Sequence, residues 1–182
     1  MALSPLTFFH VLISLVAIGS GLVVLYGLLT SKRYDGWTAL FLSTTVATSV
    51  TGFLFPVHGF LPSHGVGILS LILLAFSILG RYRHELAGGW RRTYVITAMT
   101  SLYLNCFVLI VQLFEKVPAL NGLAPTQTEP PFRMTQLIAL LFFITATTLA
   151  ARNFHAEPET GARWTAHPAS TRNEGHQQVS GR

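Results

Sequence analysis

The sequence has few charged residues and almost no cysteine, and both shortages restrict what the protein can be. Only 10% of its 182 residues are Asp, Glu, Lys or Arg, whereas 51% are hydrophobic and the mean hydropathy is +0.51. A soluble domain carries about 25% charged residues, so this composition is typical of a chain embedded in lipid. The single cysteine, Cys106, excludes an intrachain disulfide framework and a thiolate metal cluster.

Five stretches contain no Asp, Glu, Lys or Arg: about residues 8–30, 37–57, 65–80, 93–114 and 134–151. The third is the shortest, and we extend it to residue 82 because the long stems of Arg81 and Arg83 can reach the headgroups. A transmembrane helix needs about 20 apolar residues, whereas barrel strands alternate over about ten. The sequence therefore predicts an all-α integral membrane protein, with a bundle of five transmembrane helices in residues 1–152.

The lysines and arginines lie between and after these spans, and most fall on one side. Ten follow spans one, three and five: Lys32, Arg33, Arg81, Arg83, Arg91, Arg92, Arg152, Arg163, Arg172 and Arg182. The opposite loops hold only Lys116 and Arg133. Because cytoplasmic loops retain an excess of Lys and Arg, this asymmetry predicts an outer N-terminus and a cytoplasmic C-terminus.

The C-terminal segment and the basic loops predict two further properties. Residues 153–182 are rich in His, Glu, Thr, Gly, Pro and Gln, so we expect a disordered cytoplasmic tail. No basic module interleaved with aromatic residues is present, which argues against nucleic acid. Anionic lipid is the expected partner of the basic loops, and the alternative is that these charges only set the topology. A membrane-protein partner or a second copy of the chain is also open.

Polar and small residues inside the spans form helical faces. Small patches occur in span one (Ala17, Ser20, Gly21) and span two (Thr44, Thr48, Gly52), and both are predicted packing surfaces. In span four, a polar stripe follows one helical face: Thr97, Ser101, Asn105 and Gln112. An unpaired amide in hydrocarbon costs several kcal/mol, so this stripe must face other helices, a ligand or water. No carboxylate lies within a span, which weighs against an ion-coupled transporter.

The predicted topology places three histidines at the outer end of the bundle. His10 begins span one, and His58 and His64 lie in the turn between spans two and three, while Gln112 and Glu115 approach from span four. Neutral imidazole binds zinc, copper and iron, and two histidines can supply both axial ligands of haem b. The pattern indicates a cofactor site of His10, His58, His64 and Gln112, or a metal site with Glu115 in place of Gln112. The alternative is that these histidines only cap helices or contact headgroups.

The second outer loop, residues 115–133, is long for a connector and contains four prolines. It is predicted either to close over the outer mouth as a lid, or to dock a partner. As a lid it would bring four polar residues near the histidines: Glu115, Lys116, Gln127 and Glu129. No phosphate-binding loop, dinucleotide fingerprint, nucleophile elbow or zincin helix occurs, so the sequence does not predict an enzyme.

Four strings of the chain carry a resemblance. They are TGFLFP at 51–56, PSHGVGILSL at 62–71, QLFEKVP at 112–118 and APTQTEPPF at 124–132. Over residues 8–152 the chain resembles uncharacterised small multi-span inner-membrane proteins of bacteria. The resemblance implies a bacterial inner membrane with a periplasmic outer side, and it implies no activity or cofactor.

Three functions follow from these observations, and we rank them. The first is a non-catalytic accessory or interaction subunit that acts through its periplasmic loops. The second is a redox protein that binds haem or a metal through the outer histidines. The third is a small-solute transporter or channel.

Reporter fusions test the predicted topology directly. Fusions after Ala87 and after Arg163 should both report the cytoplasm, and a fusion after Asn121 should report the opposite side, because the basic residues flank the first two positions. Activity of a compartment-specific reporter is the measurement. If the Ala87 and Asn121 fusions report the same compartment, the assignment of spans is wrong.

Overall fold

A computed structural model describes residues 5–54 and 62–154, and these residues are helical throughout apart from short connections. Six α-helices follow in order: α1 (Pro5–Leu29), α2 (Asp35–Gly52), α3 (Pro62–Ile78), α4 (Gly89–Lys116), α5 (Pro118–Asn121) and α6 (Pro130–Asn153). A π-helical turn at Leu79–Arg83 continues α3. No strand occurs in the described ranges, which confirms the predicted all-α class.

Four helical segments are long and apolar enough to cross a membrane, within the part of the chain that the structure describes. They are Pro5–Leu29, His64–Arg83, Gly89–Lys116 and Pro130–Asn153. The helix α2 is not among them because it begins at Asp35 and seven of its 18 residues are Ser or Thr. The prediction of a membrane protein is thus supported by four helices, while the count of five spans stays a prediction.

The helix α4 is the centre of the bundle. It contacts α1, α3 and α6, and α2 lies against both α1 and α3. Its residues Val95, Ala98, Met99 and Leu102 are fully buried in the main apolar cluster. By contrast, α6 keeps most of its large apolar side chains exposed, such as Ile138, as expected of a helix whose outer face contacts lipid.

A small-residue patch on α1 lets three helices approach closely. Ala17, Ser20 and Gly21 are all buried. A Cβ atom added at Gly21 would lie 2.5 Å from Leu102 Cδ1 of α4 and 2.9 Å from Phe41 Cδ2 of α2. The patch that the sequence predicts in span one is therefore a packing surface.

The ends of the helices place charge asymmetrically. The connection between α1 and α2 is joined to the end of α6 by a hydrogen bond from Ser31 Oγ to the carbonyl oxygen of Asn153. We call this the basic end, because seven basic residues lie there: Lys32, Arg33, Arg81, Arg83, Arg91, Arg92 and Arg152. The opposite end holds His10, His64, Lys116 and Arg133, and we call it the histidine end. The helix directions thus reproduce the predicted grouping of loops, whereas the side of the membrane stays a prediction.

Two details at the basic end correct the sequence-based expectations. Arg81 does not extend toward headgroups: its side chain is only 5% exposed, forms an ion pair with Asp35 at the start of α2, and lies over the ring of Tyr94. Its partner comes from another helix, which linear spacing does not show. The predicted tail begins too early, because Asn153 completes α6 and Phe154 is buried in the main apolar cluster. The remainder, 155–182, lies outside the described residues.

Two glycines of α1 provide a matched test of this packing. Gly21→Ala should lower the melting temperature of the detergent-solubilised protein, because its Cβ meets the buried side chains of Leu102 and Phe41; overpacking of this kind costs about 1–3 kcal/mol. Gly19→Ala is the control, since nothing lies within 4 Å of its added Cβ, and it should leave the melting temperature unchanged or slightly raised. Equal melting temperatures for the two variants would contradict the close approach.

Candidate functional site

An open cavity of about 570 Å³ lies between α1, α2, α3 and α4 at the histidine end. This volume falls in the range of small-molecule binding sites, about 300–1,000 Å³. Much of its wall is aliphatic, with Val11, Leu15 and Ile18 on α1 facing Val108 and Leu109 on α4. The cavity is therefore an apolar site, and its few polar groups determine what it can recognise.

The amide and charged or titratable lining residues occupy two levels. His10, His64, Gln112 and Lys116 lie near the helix ends and form what we call the rim. Asn105 lies seven residues before Gln112 on α4, and therefore about 10 Å deeper. Between the rim and this base the wall is mostly aliphatic and includes four hydroxyl side chains: Ser14, Thr48, Ser49 and Ser70.

The His10 side chain is fixed by a hydrogen bond to α2. Its Nδ1 lies 2.8 Å from Thr51 Oγ1, and the Thr51 hydroxyl in turn donates to the carbonyl oxygen of Ala47 at 2.7 Å. A hydroxyl has a single proton to donate, so we assign the proton of this contact to Nδ1 of His10. In the neutral ring, Nε2 then carries the lone pair, which is the form that accepts a hydrogen bond or ligates a metal.

His64 is held at the rim by the ring of Phe53, the residue that follows α2. The Phe53 ring stacks on the His64 imidazole with centroids 5.6 Å apart and an interplanar angle of 13°. The same Phe53 ring approaches Gly67, where an added Cβ would lie 3.0 Å from Phe53 Cζ. The packing of α2 on α3 therefore positions His64 beside the cavity.

The polar stripe of α4 divides between packing and cavity. Thr97 shares a 2.7 Å hydrogen bond with Ser77 of α3, and the Ser101 hydroxyl donates to the Thr97 carbonyl at 2.9 Å. Asn105 lines the base and donates from Nδ2 to Thr45 Oγ1 of α2 at 3.3 Å. Gln112 lines the rim. Thr97 and Asn105 thus hold α4 against α3 and α2. The part of the stripe from Asn105 to Gln112 faces the cavity.

The structure does not bring all the predicted site residues together. Glu115 is exposed and does not line the cavity, and His58 lies outside the described residues. Among residues 5–54 and 62–154, no three His, Cys, Asp or Glu side chains are grouped so that they could hold a metal ion. The structure therefore joins His10, His64 and Gln112 in one cavity, and the metal site that includes His58 stays a prediction.

The second outer loop folds onto α4 and does not line the cavity beyond Val117. Asn121 of α5 donates from Nδ2 to the carbonyl of Phe114 at 3.3 Å, and Gln127 donates to the carbonyl of Val111 at 3.4 Å. Phe132 packs edge-on against Phe114. Neither Gln127 nor Glu129 lines the cavity, so the loop does not bring these residues to the histidines as the lid hypothesis expects.

Glu129 stabilises the turn that leads into α6. Its carboxylate accepts hydrogen bonds from Thr126 Oγ1 at 2.8 Å and from the Thr128 backbone N–H at 3.0 Å. Desolvation acts in the opposite direction, but these hydrogen bonds hold the pKa of the Glu129 carboxyl below its usual value. Their contribution to the turn is present above the usual carboxyl pKa and is lost as the pH falls through the lowered one.

Some lining residues were missing from the predicted site. The sequence places Lys116 near the histidines only through the lid hypothesis, whereas in the structure it lines the cavity as part of α4, one helical turn beyond Gln112. Thr7 and Ser14 lie three and four residues from His10 and also line the cavity. Residues at this spacing share a helical face, so spacing from His10 and Gln112 selects all three, but it selects Glu115 as well, and only the packing of the neighbouring helices separates Lys116 from Glu115.

The tautomer of His10 provides a test of this geometry. In Thr51→Val, Nδ1 of His10 loses its acceptor, and the population should shift toward the Nε2-protonated form, by about fivefold for a net hydrogen bond worth about 1 kcal/mol. The ¹⁵N chemical shifts of the labelled imidazole measure the populations. Thr48→Val is the control, since Thr48 Oγ1 is buried without a hydrogen-bond partner in the structure. An unchanged spectrum in Thr51→Val would contradict the assignment.

Comparison with other proteins leaves the cavity as the source of functional information. No protein-family model, curated protein or solved structure matches this chain. The resemblance carried by the four sequence strings therefore stays a prediction, and the function is inferred from the geometry and chemistry of the site.

Proposed function

We propose that this protein is a multi-pass membrane protein that binds one small amphipathic molecule between α1, α2, α3 and α4. One observation carries the proposal: a cavity of about 570 Å³ that combines an aliphatic wall with polar groups at its rim and base. Specific small-molecule sites have this composition, a mostly apolar lining with a few placed polar groups. The polar rim would contact the head of the molecule, and the aliphatic wall its apolar body.

The polar groups are the source of selectivity. Lipid tails are as apolar as aliphatic side chains, so an apolar wall alone gives little preference for one lipophilic molecule over another. A polar group at membrane depth discriminates more strongly between ligands. A ligand that buries this group without forming a hydrogen bond to it binds more weakly, because the group has lost its contact with water. The rim residues His10, His64 and Gln112 and the basal Asn105 supply such groups.

An accessory role requires binding alone. The titratable side chains among the described lining residues are His10, His64 and Lys116, and each can contact a bound molecule at the rim. The first-ranked function, an accessory subunit, fits this cavity if the subunit presents or senses a membrane-soluble molecule.

The membrane arrangement is part of the same proposal. The protein has five spans in a bacterial inner membrane, with the histidine end on the periplasmic side. The excess of basic residues at the other end supports this orientation. The helix α2 connects the basic end of α1 to the histidine end of α3, and its 18 residues rise about 27 Å, close to the thickness of a bilayer core. Contacts with α1 and α3 cover part of its surface, so its hydroxyl groups need not all face lipid.

Haem b is a second candidate occupant, favoured by two histidines of different helices in one cavity. The Nδ1 hydrogen bond of His10 to Thr51 leaves Nε2 as its ligating atom, and haem requires only two axial ligands from the protein. Reduced-minus-oxidised absorption spectra of the purified protein decide this point. A Soret shift that His10→Ala and His64→Ala abolish would establish haem, and a spectrum without one would eliminate it.

Photolabelling tests binding of an amphipathic molecule. Proteoliposomes are irradiated with a long-chain alcohol that carries a diazirine in its chain, and the labelled residues are mapped by mass spectrometry. Labelling of cavity residues such as Val11 and Val108 should saturate and be displaced by unlabelled oleyl alcohol, because the cavity holds one molecule. Labelling of lipid-facing residues such as Ile138 on α6 should rise in proportion to the probe.

A pair of tryptophan substitutions provides the control. Leu109→Trp fills the cavity wall and should remove the saturable labelling, whereas Leu141→Trp on the exposed face of α6 should preserve it. Saturable labelling that persists in Leu109→Trp, or cavity labelling that never saturates in the wild type, would rule out the proposed function.

A further inference from the structure

We infer that the molecule bound in this cavity is a single-chain lipid with an anionic head, and that Lys116 recognises the head at the rim. The inference rests on the proposed function and adds the charge and shape of the ligand. It follows from the charges that line the cavity, the partners of the α4 terminus and the dimensions of the wall.

The rim carries positive charge without a compensating carboxylate. Lys116 is the one formally charged side chain among the described lining residues. The neighbouring Glu115 is exposed and does not line the cavity, and Glu129 accepts hydrogen bonds from its own turn. An anionic head at the rim would therefore meet a cation and no opposing charge from the described wall.

The usual structural role of a C-terminal lysine is already filled by other groups. A cation in the last turn of a helix stabilises the final carbonyl groups. In α4, however, the Leu113 carbonyl accepts from the Val117 N–H at 2.9 Å. Nδ2 of Asn121 reaches the carbonyls of Phe114 and Glu115 at 3.3 and 3.5 Å. Capping of α4 therefore does not require Lys116, which lines the cavity.

The rim also contains a suitable neutral donor. Gln112 lies one turn before Lys116 on the same face of α4, and its amide can donate to an oxygen that the lysine also contacts. Neutral His10 has its proton on Nδ1, bonded to Thr51, so its Nε2 does not donate to an anion. Lys116 and Gln112 thus supply a cation and a neutral donor of α4 for a carboxylate or phosphate oxygen, and His64 lies at the same rim.

The shape of the cavity favours a single extended chain. Its lining runs from Leu104 to Val117 on α4, a rise of about 20 Å, and from Thr7 to Ile18 on α1, a rise of about 17 Å. A volume of about 570 Å³ along this length holds one molecule. Val11 and Leu15 are 43% and 49% exposed, so the cavity opens along α1, where a chain can enter from the lipid while its head stays at the rim.

Competition against the photolabelled alcohol tests the charge of the head. In low-salt proteoliposomes of wild-type protein, oleate should displace the probe from Val11 and Val108 at about fivefold lower concentration than oleyl alcohol, as expected for one partly exposed ion pair. Oleoyl lysophosphatidate is the second competitor. If it competes more strongly than oleate, the head is assigned as a phosphate, and if it competes more weakly, as a carboxylate. Either result supports the inference, provided that the anion competes more strongly than oleyl alcohol. Added salt should reduce the difference.

Two basic residues of the histidine end provide matched variants. Lys116→Gln should make oleate and oleyl alcohol equal competitors while cavity labelling persists, and Lys116→Arg should restore much of the preference. Arg133→Gln removes an exposed cation that does not line the cavity, and it should leave the preference intact.

Two outcomes would overturn the inference, and they are distinguishable from failure of the proposed function. If oleyl alcohol competes as well as both anions in the wild type, or if Lys116→Gln keeps the preference, the head is not recognised as an anion by Lys116, although cavity binding itself stands. If the cavity residues show no saturable labelling at all, the proposed function fails together with this inference.

Discussion

The structure depends on one constraint, which is that polar groups inside a helix bundle in lipid must find partners within the protein. The helix α4 lies at the centre and carries the longest polar face, so its neighbours are set by what that face requires. Thr97 meets Ser77 of α3, and Asn105 meets Thr45 of α2. Ser49 of α2 and Ser70 of α3 add a 3.3 Å hydrogen bond between those two helices. Each such contact is worth only about 0.6 kcal/mol, but leaving the same groups unpaired would cost more, so hydrogen bonding fixes which faces meet.

The two ends of the bundle differ in how their polar groups are packed. At the basic end, Arg81 is paired with Asp35, the end of α6 is bonded to Ser31, and Phe154 is buried beside them. The space left there is about 10 Å³, roughly that of one water molecule. At the histidine end, α1, α2, α3 and α4 line an open cavity of about 570 Å³. At the basic end the buried Arg81 side chain thus joins the end of α3 to the exposed Asp35 of α2 and lies over Tyr94 of α4, whereas the histidine end leaves space for a ligand between its helices.

The sequence predicted what depends on a single helix and missed what depends on two. Uncharged stretches predicted five spans, and four of them coincide with helices that are long and apolar enough to cross a membrane, because hydropathy is a local property. The grouping of His10, His64 and Gln112 at one end followed from alternation of the helices. The burial of Arg81, the core position of Phe154 and the cavity-facing position of Lys116 all depend on contacts between helices. Glu115 differs from its prediction for the same reason: like Lys116 it lies within one turn of Gln112, and only the arrangement of the neighbouring helices leaves it outside the cavity.

The position of Lys116 is also informative about topology. The excess of Lys and Arg on the cytoplasmic side means that a basic residue on the opposite side weakens the signal that orients the chain. The described histidine end has two such residues, and they differ in what surrounds them. Both are exposed, but Arg133 lies at the start of α6 away from the cavity, whereas Lys116 is among the residues that line it. The predicted topology, the capping of α4 by Asn121 and the charge of the cavity lining thus all bear on this one position, and they support the inference that Lys116 contacts an anionic group of a bound molecule.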